Sequence, residues 1–162
     1  MNNQMVQSQL EDVRTVLNNS VQRISSYLNQ HCLEQMLKED GSGNEDYYSS
    51  LLKALRRLEV FCDEAHDAVH FILKSEVFRK PAAEKTLYGI YHQCIMEFFS
   101  PKGDIWYENS RAAYTGKNTI MYHHTPPASF ETLIHSLENG FQQLREELAC
   151  YETDYQRKSS PS

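Results

Sequence analysis

The sequence predicts an all-α chain: an antiparallel four-helix bundle with a small β-hairpin or irregular insertion between helices 3 and 4. Three observations lead there. Apolar residues return every three or four positions in four separate stretches, proline- and glycine-bearing breaks divide those stretches, and one aromatic-rich segment, 98–127, abandons the helical period. A helix with one apolar stripe has to lay it against a neighbour, and four such helices pair most economically as an antiparallel bundle. A chain of 162 residues needs only one core, so a single domain over 1–162 is expected.

The first helix is expected from about residue 4 to the low thirties, and as far as Leu37. Val6, Leu10, Val13, Leu17, Ile24 and Leu28 mark its stripe, with Ser20 in the gap. Gly41 and Gly43 then end it in a flexible loop at about 38–46. From Asp46 a second stripe, Leu51, Leu55, Leu58, Cys62, Ala65, Val69 and Ile72, runs on towards Arg79-Lys80-Pro81. Proline suits the first turn of the next helix, where its missing N–H is no loss. That third helix uses Ala83, Leu87, Ile90, Cys94 and Phe98 before Pro101 and Gly103 stop it. The fourth opens after Pro126-Pro127 and carries Ile134, Leu137, Phe141, Leu144, Leu148, Tyr151 and Tyr155, and a tail at about 156–162 is expected to fray.

The insertion, about 100–126, reads as a hairpin with strands at 111–114 and 119–122 around Thr115-Gly116-Lys117-Asn118. A lone two-stranded hairpin is marginal in water. It therefore has to lie on the helices, with the rings of Trp106, Tyr107, Tyr114 and Tyr122 as the means.

Charge narrows the function classes. The 22 acidic against 16 basic residues leave a formal charge of −6, and no basic cluster exceeds Arg56-Arg57, so nucleic acid is not expected as a partner. No stretch approaches the roughly 18 apolar residues of a membrane span, and the first residues form neither a basic nor an apolar leader. The expected location is the cytoplasm, with no membrane partner. Cys32, Cys62, Cys94 and Cys150 are widely spaced without a CxxC pair, which suits reduced thiols buried one per helix.

Two constellations could carry function. His66-Asp67-Ala68-Val69-His70 places two imidazoles at i and i+4, and Glu59 and Asp63 extend that helix face. With His92 from the next helix, or His135 flanked by Glu131 and Glu138, the stripe could hold a divalent ion. The corresponding function is a metal-dependent helical-bundle hydrolase, the alternative reading. Against it, the stripe lies one step off the apolar seam, where side chains are usually solvated, and Asp67 points about 100° away from His66. Lys117 stands in a sequence that misses the phosphate-loop pattern twice, with Arg111 where a glycine belongs and Asn118 where a hydroxyl belongs. Ser110, Ser129 and Cys94 have no base partner at a useful spacing, and no cofactor is implied.

The second constellation is Trp106, Tyr107, Arg111, Tyr114, Lys117 and Tyr122, with His123 and His124 beside them. Rings interleaved with cationic side chains are what interfaces use. The sequence therefore points to a non-catalytic interaction or regulatory protein whose aromatic insertion binds a protein partner or a second copy of the chain.

The segments FFSPK, WYENSR and AYTGKN, within EKTLYGIYHQCIMEFFSPKGDIWYENSRAAYTGKN, followed by PPASF and REELACYETDY, resemble the YpuI-like family of spore-forming, low-GC Gram-positive bacteria. The resemblance covers chiefly Glu84 to Tyr155 and is most specific from Phe98 to Asn118. It implies a cytosolic bacterial protein, transfers no catalytic residue, and leaves HDxxH without family support.

Overall fold

A computed structural model describes residues 2–41, 43–109, 111 and 119–159, with side chains as far as Tyr151. Among the described residues the chain is helical apart from one two-stranded sheet and its connections.

Helix α1 (Asn3–Gln30) begins where the Asn2 side chain accepts the Met5 N–H at 2.8 Å, satisfying one of the free donors of the first turn. Its buried stripe is Val6, Leu10, Val13, Leu17, Ser20, Ile24 and Tyr27. The small Ser20 belongs to the seam, which is why the apolar pattern skipped it, and the seam closes on Tyr27, leaving Leu28 half-buried. The helix does not continue to Leu37. His31 is extended, its ring stacked on Tyr27 with centroids 4.0 Å apart and its Nδ1 3.0 Å from the Tyr27 carbonyl. A separate helix α2 (Leu33–Glu39) follows and buries Met36. Its Glu39 carboxylate accepts the Ser129 N–H at 3.0 Å, placing a negative charge at the start of the last helix, where the helix dipole favours it.

Helix α3 (Glu45–Lys74) is capped by Asn44, whose side chain accepts the Tyr47 N–H at 3.0 Å. The third helical run has three parts: α4 (Lys80–Ile90) with Pro81 in its first turn, a π-helical turn over Tyr91–Ile95, and α5 (Met96–Phe99). A π turn inserts an extra residue into the helical register. Here Cys94 and Ile95, then Phe98 and Phe99, are all buried, where a plain α period allowed only Cys94 and Phe98. Gly103 turns the chain out of this run at φ 96°, a conformation other side chains resist.

Strands β1 (Trp106–Glu108) and β2 (Ile120–Tyr122) pair antiparallel with Trp106 opposite Tyr122, Tyr107 opposite Met121 and Glu108 opposite Ile120. The partner of 120–122 is thus 106–108, while the strand expected at 111–114 lies, beyond Arg111, outside the described residues. The pairing strand comes earlier because Trp106 is the ring that enters the core, and in-out alternation about it fixes the pairing. Helix α6 (Ala128–Ser159) follows the buried Pro126 and Pro127 and runs through the region expected to fray as far as Ser159.

Helices α1 and α6 are antiparallel. Tyr27 meets Ser129 at 3.0 Å between hydroxyls, a Cβ on Gly140 would stand only 2.9 Å from Val16 Cγ1, and Gln9 reaches the Glu147 carbonyl at 3.5 Å and the Tyr151 hydroxyl. Helix α3 is likewise antiparallel to the third run, with Arg57 3.7 Å from Glu97 and the Cys94 thiol 3.4 Å from the Phe61 carbonyl. The expected core residues Leu58, Val69, Ile90, Ile134, Leu137 and Leu144 are buried.

The cysteines divide differently from the expectation. Cys62 and Cys94 are buried, and the hydrogen bond between their thiols, with burial, raises the Cys62 pKa. Cys32 and Cys150 are exposed, because Cys32 falls in the break before α2 and Cys150 stands off the Leu148/Tyr151 seam.

Between α1 and α6, Glu147 faces Asp12. Burial first, then the hydrogen bond and charge of Asp12, push the Glu147 carboxyl from its ordinary 4.5 up to about 7. The folded state therefore holds this proton more tightly than the unfolded chain, so its stabilising effect is complete below about pH 4.5 and lost as pH rises through about 7. The melting temperature is expected to fall by a few °C, on the order of a surface-pair effect, between pH 5 and pH 8. Glu147→Gln should flatten that fall when melts are compared at the two pH values.

Candidate functional site

The hairpin is tied to the helices along its inner face. Trp106 is only 2 % exposed, and its indole N–H donates to the Phe98 carbonyl at 2.7 Å. That carbonyl belongs to the last turn of α5, where helix acceptors lose their intrahelical donors, so Trp106 serves as a helix C-cap as well as an apolar plug. Its ring also lies against Phe130, with centroids 5.8 Å apart. The Tyr47 hydroxyl donates to the Ile105 carbonyl at 2.6 Å.

Two charged groups on α6 complete the attachment. The Arg145 guanidinium donates to both carboxylate oxygens of Glu108, at 2.8 and 2.6 Å, while lying 3.7 Å over the Phe99 ring. This bidentate fork is shielded from solvent, so it holds β1 more firmly than an exposed pair would. Glu138 is a buried carboxylate whose Oε1 accepts both the backbone N–H and the hydroxyl of Thr119, each at 2.6 Å. Its Oε2 lies 3.6 Å from His135 Nδ1.

The outer face is different. Tyr107 and Met121, directly opposite in register, are 45 % and 42 % exposed, and His123 packs on Tyr107 with ring centroids 5.0 Å apart. Arg111 is exposed, its backbone N–H donating to the Asn109 side chain at 3.0 Å. Tyr122 is half-buried on the inner face, and its hydroxyl pKa is raised by burial and by the carboxylates of Glu131 and Glu138. Of the residues expected to meet a partner, Trp106 is therefore an anchor, Tyr107 and Arg111 face solvent, and Tyr122 borders a groove. Tyr114 and Lys117 lie outside the described residues.

That groove, about 550 Å³, runs between β2 and the first half of α6, with Ile120, Tyr122 and Ile134 giving apolar wall and Glu131, His135 and Glu138 polar wall. In the sequence Glu131 and Glu138 stand out only as flanks of His135. The spacing 131, 135, 138 on one helical face was the available signal for a polar wall, but the strand that completes the groove is not visible in it.

The helix-face stripe does not converge. Glu59 is turned towards α1, where it accepts the Ser25 hydroxyl at 2.5 Å. Asp63 and His70 are exposed, His66 and His70 lie parallel with centroids 6.3 Å apart, and His66 Nδ1 is 3.6 Å from Asp67. His92 is exposed on the third run, its ring edge-on to Tyr88 and Tyr91. Among the described residues, no three or more His, Cys, Asp or Glu side chains gather as metal ligands would. No helix of the described residues is long and apolar enough to cross a membrane.

A second exposed apolar spot, not expected from the stripe, is formed by Phe71 at 74 % and Val77 at 68 % exposure near the α3–α4 connection. Phe71 stands between the seam positions Val69 and Ile72, which is the signal that it would point outward.

The family model described as "Protein of unknown function (DUF3907)" matches residues 10–157. The chain is similar to the "Uncharacterized protein YpuI" of Bacillus subtilis (strain 168), with 43 % identity over 152 residues, covering 94 % of this chain and 84 % of that protein. The resemblance read in the C-terminal half thus extends through the N-terminal half, and positions 59–70 fall within the span of the family model. No solved structure matches the chain.

Proposed function

We propose, for a chain that belongs to the family described as Protein of unknown function (DUF3907), a non-catalytic interaction or regulatory role in which the outer face of the β1–β2 hairpin binds a protein partner. In this reading the long helical runs form an antiparallel four-helix bundle that serves as a rigid scaffold, and the free cysteines suit a reducing cytosol. The observation that supports it is the division of labour within the hairpin. Trp106, Glu108 and Thr119 hold it to the helices, and the exposed side chains of Tyr107 and Met121 take no part in that attachment. Aromatic and methionine side chains are enriched at interface centres, Tyr as a stiff amphipathic ring and Met as an adaptable apolar chain.

The test is site-specific photo-crosslinking in the native cell, with the reactive residue placed in turn at Tyr107, at Phe71 and at the exposed Lys85 of α4 as control. One recurrent protein adduct from position 107, absent from position 85, is expected. An adduct from position 71 with none from position 107 would move the working surface to the α3–α4 connection and overturn the reading.

A further inference from the structure

The pairing of β1 with β2 fixes where their remaining backbone groups point. Asn109 N–H donates to the Thr119 carbonyl at 2.7 Å and His123 N–H to the Ile105 carbonyl at 3.1 Å. In an antiparallel ladder, hydrogen-bonded and non-hydrogen-bonded pairs alternate, so Tyr107 and Met121 form the bonded pair between them. The N–H and C=O groups of Ile120 and Tyr122 are then directed away from β1, along the outer edge of β2. Both residues line the groove whose other wall is α6, so this edge borders the groove. A sheet edge of this kind is a template for another strand.

The walls say what strand would fit. Ile120 and Ile134 offer apolar contact, while the exposed Glu131 brings a carboxylate to the channel, and the buried Glu138, held by Thr119, adds negative charge to the wall of a chain that is already net acidic at −6. Resting on the partner-binding reading above, we infer that the partner contributes an extended, basic segment that adds to the outer edge of β2 as a third strand in the groove between β2 and α6. Main-chain hydrogen bonds to Ile120 and Tyr122 supply the attachment, alternate side chains meet the apolar wall, and Lys or Arg side chains meet the exposed Glu131. A helical segment would not use those backbone groups, and a second copy pairing edge to edge would set its own Glu131 against this acidic wall.

The experiment is selection of random octapeptides displayed against the full chain, followed by binding measurements on the selected peptides. Selected peptides are expected to carry net positive charge, to lose at least tenfold in affinity when alternate peptide amides are N-methylated, and to lose severalfold against Glu131→Lys. Ile120→Pro removes an outward donor while leaving the internal ladder its bonds, and should cost at least tenfold with the helical circular dichroism unchanged. The N-methylated peptides make the same test on the unaltered protein should Ile120→Pro fold poorly. Binders that tolerate N-methylation, acidic binders, or no binders at all would overturn strand addition. If tolerant binders are lost on Tyr107→Ser, the hairpin face still binds and only the strand mode fails; if they survive that change too, both readings fail.

Discussion

Trp106→Ala is expected to destabilise the fold by about 3–5 kcal/mol, the range for removing a buried large ring. Two losses combine. The plug between the hairpin and Phe130 disappears, and the Phe98 carbonyl at the end of α5 loses the indole N–H that it accepts at 2.7 Å. Leaving such an acceptor unpaired costs about 1–3 kcal/mol by itself. Trp106→Phe keeps most of the ring and removes only the donor, so it should recover roughly half of the loss. Since whole domains are stable by only about 5–15 kcal/mol, denaturant melts will separate these variants readily. A cost below about 1 kcal/mol for Trp106→Ala would mean that the hairpin is not anchored by this residue.

Phe141→Ala should cost about 3–5 kcal/mol as well. Phe141 is fully buried on α6 and stacks on Phe98 with centroids 4.4 Å apart and planes 8° apart. The substitution leaves a cavity between α6 and the third helical run and removes an aromatic pair worth about 0.5–1.5 kcal/mol beyond its area. Because Phe98 also presents the carbonyl that Trp106 caps, Phe141→Ala and Trp106→Ala touch the same residue from two sides. Their combined effect is expected to differ from the sum, as it does for neighbours that share a partner. The double variant in the same melts checks this.

The helices were legible because a stripe such as Leu51, Leu55, Leu58 and Cys62 reports burial on one face directly. What the stripe could not report was local geometry set by a single ring. α1 ends at His31, whose imidazole stacks on Tyr27, and the π turn brings Ile95 and Phe99 into the buried set; neither changes the spacing of apolar residues enough to be read. The candidate site was visible as an excess of aromatics, but not its division into two faces. Trp106 and Tyr107 are neighbours of similar chemistry, and only the alternation of β1 sends one into the core and the other to solvent. Arg145, and the part Glu138 plays in holding the hairpin, were not legible because a charged residue on a helix is usually solvated, whereas these meet Glu108 of β1 and Thr119 just before β2.

The central claim is that the inner face of the hairpin holds the fold while its outer face is free to bind. It is tested most directly by placing the photo-reactive residue at Met121 and measuring adduct yield and melting temperature together, with Tyr107 intact and with Tyr107→Ser. The expected result is a roughly tenfold drop in the adduct with the melting temperature kept within about 2 °C, the behaviour of an interface residue without a structural task. A melting temperature lowered by more than about 5 °C with the adduct unchanged would contradict the claim and make the outer face, like the inner one, part of the architecture.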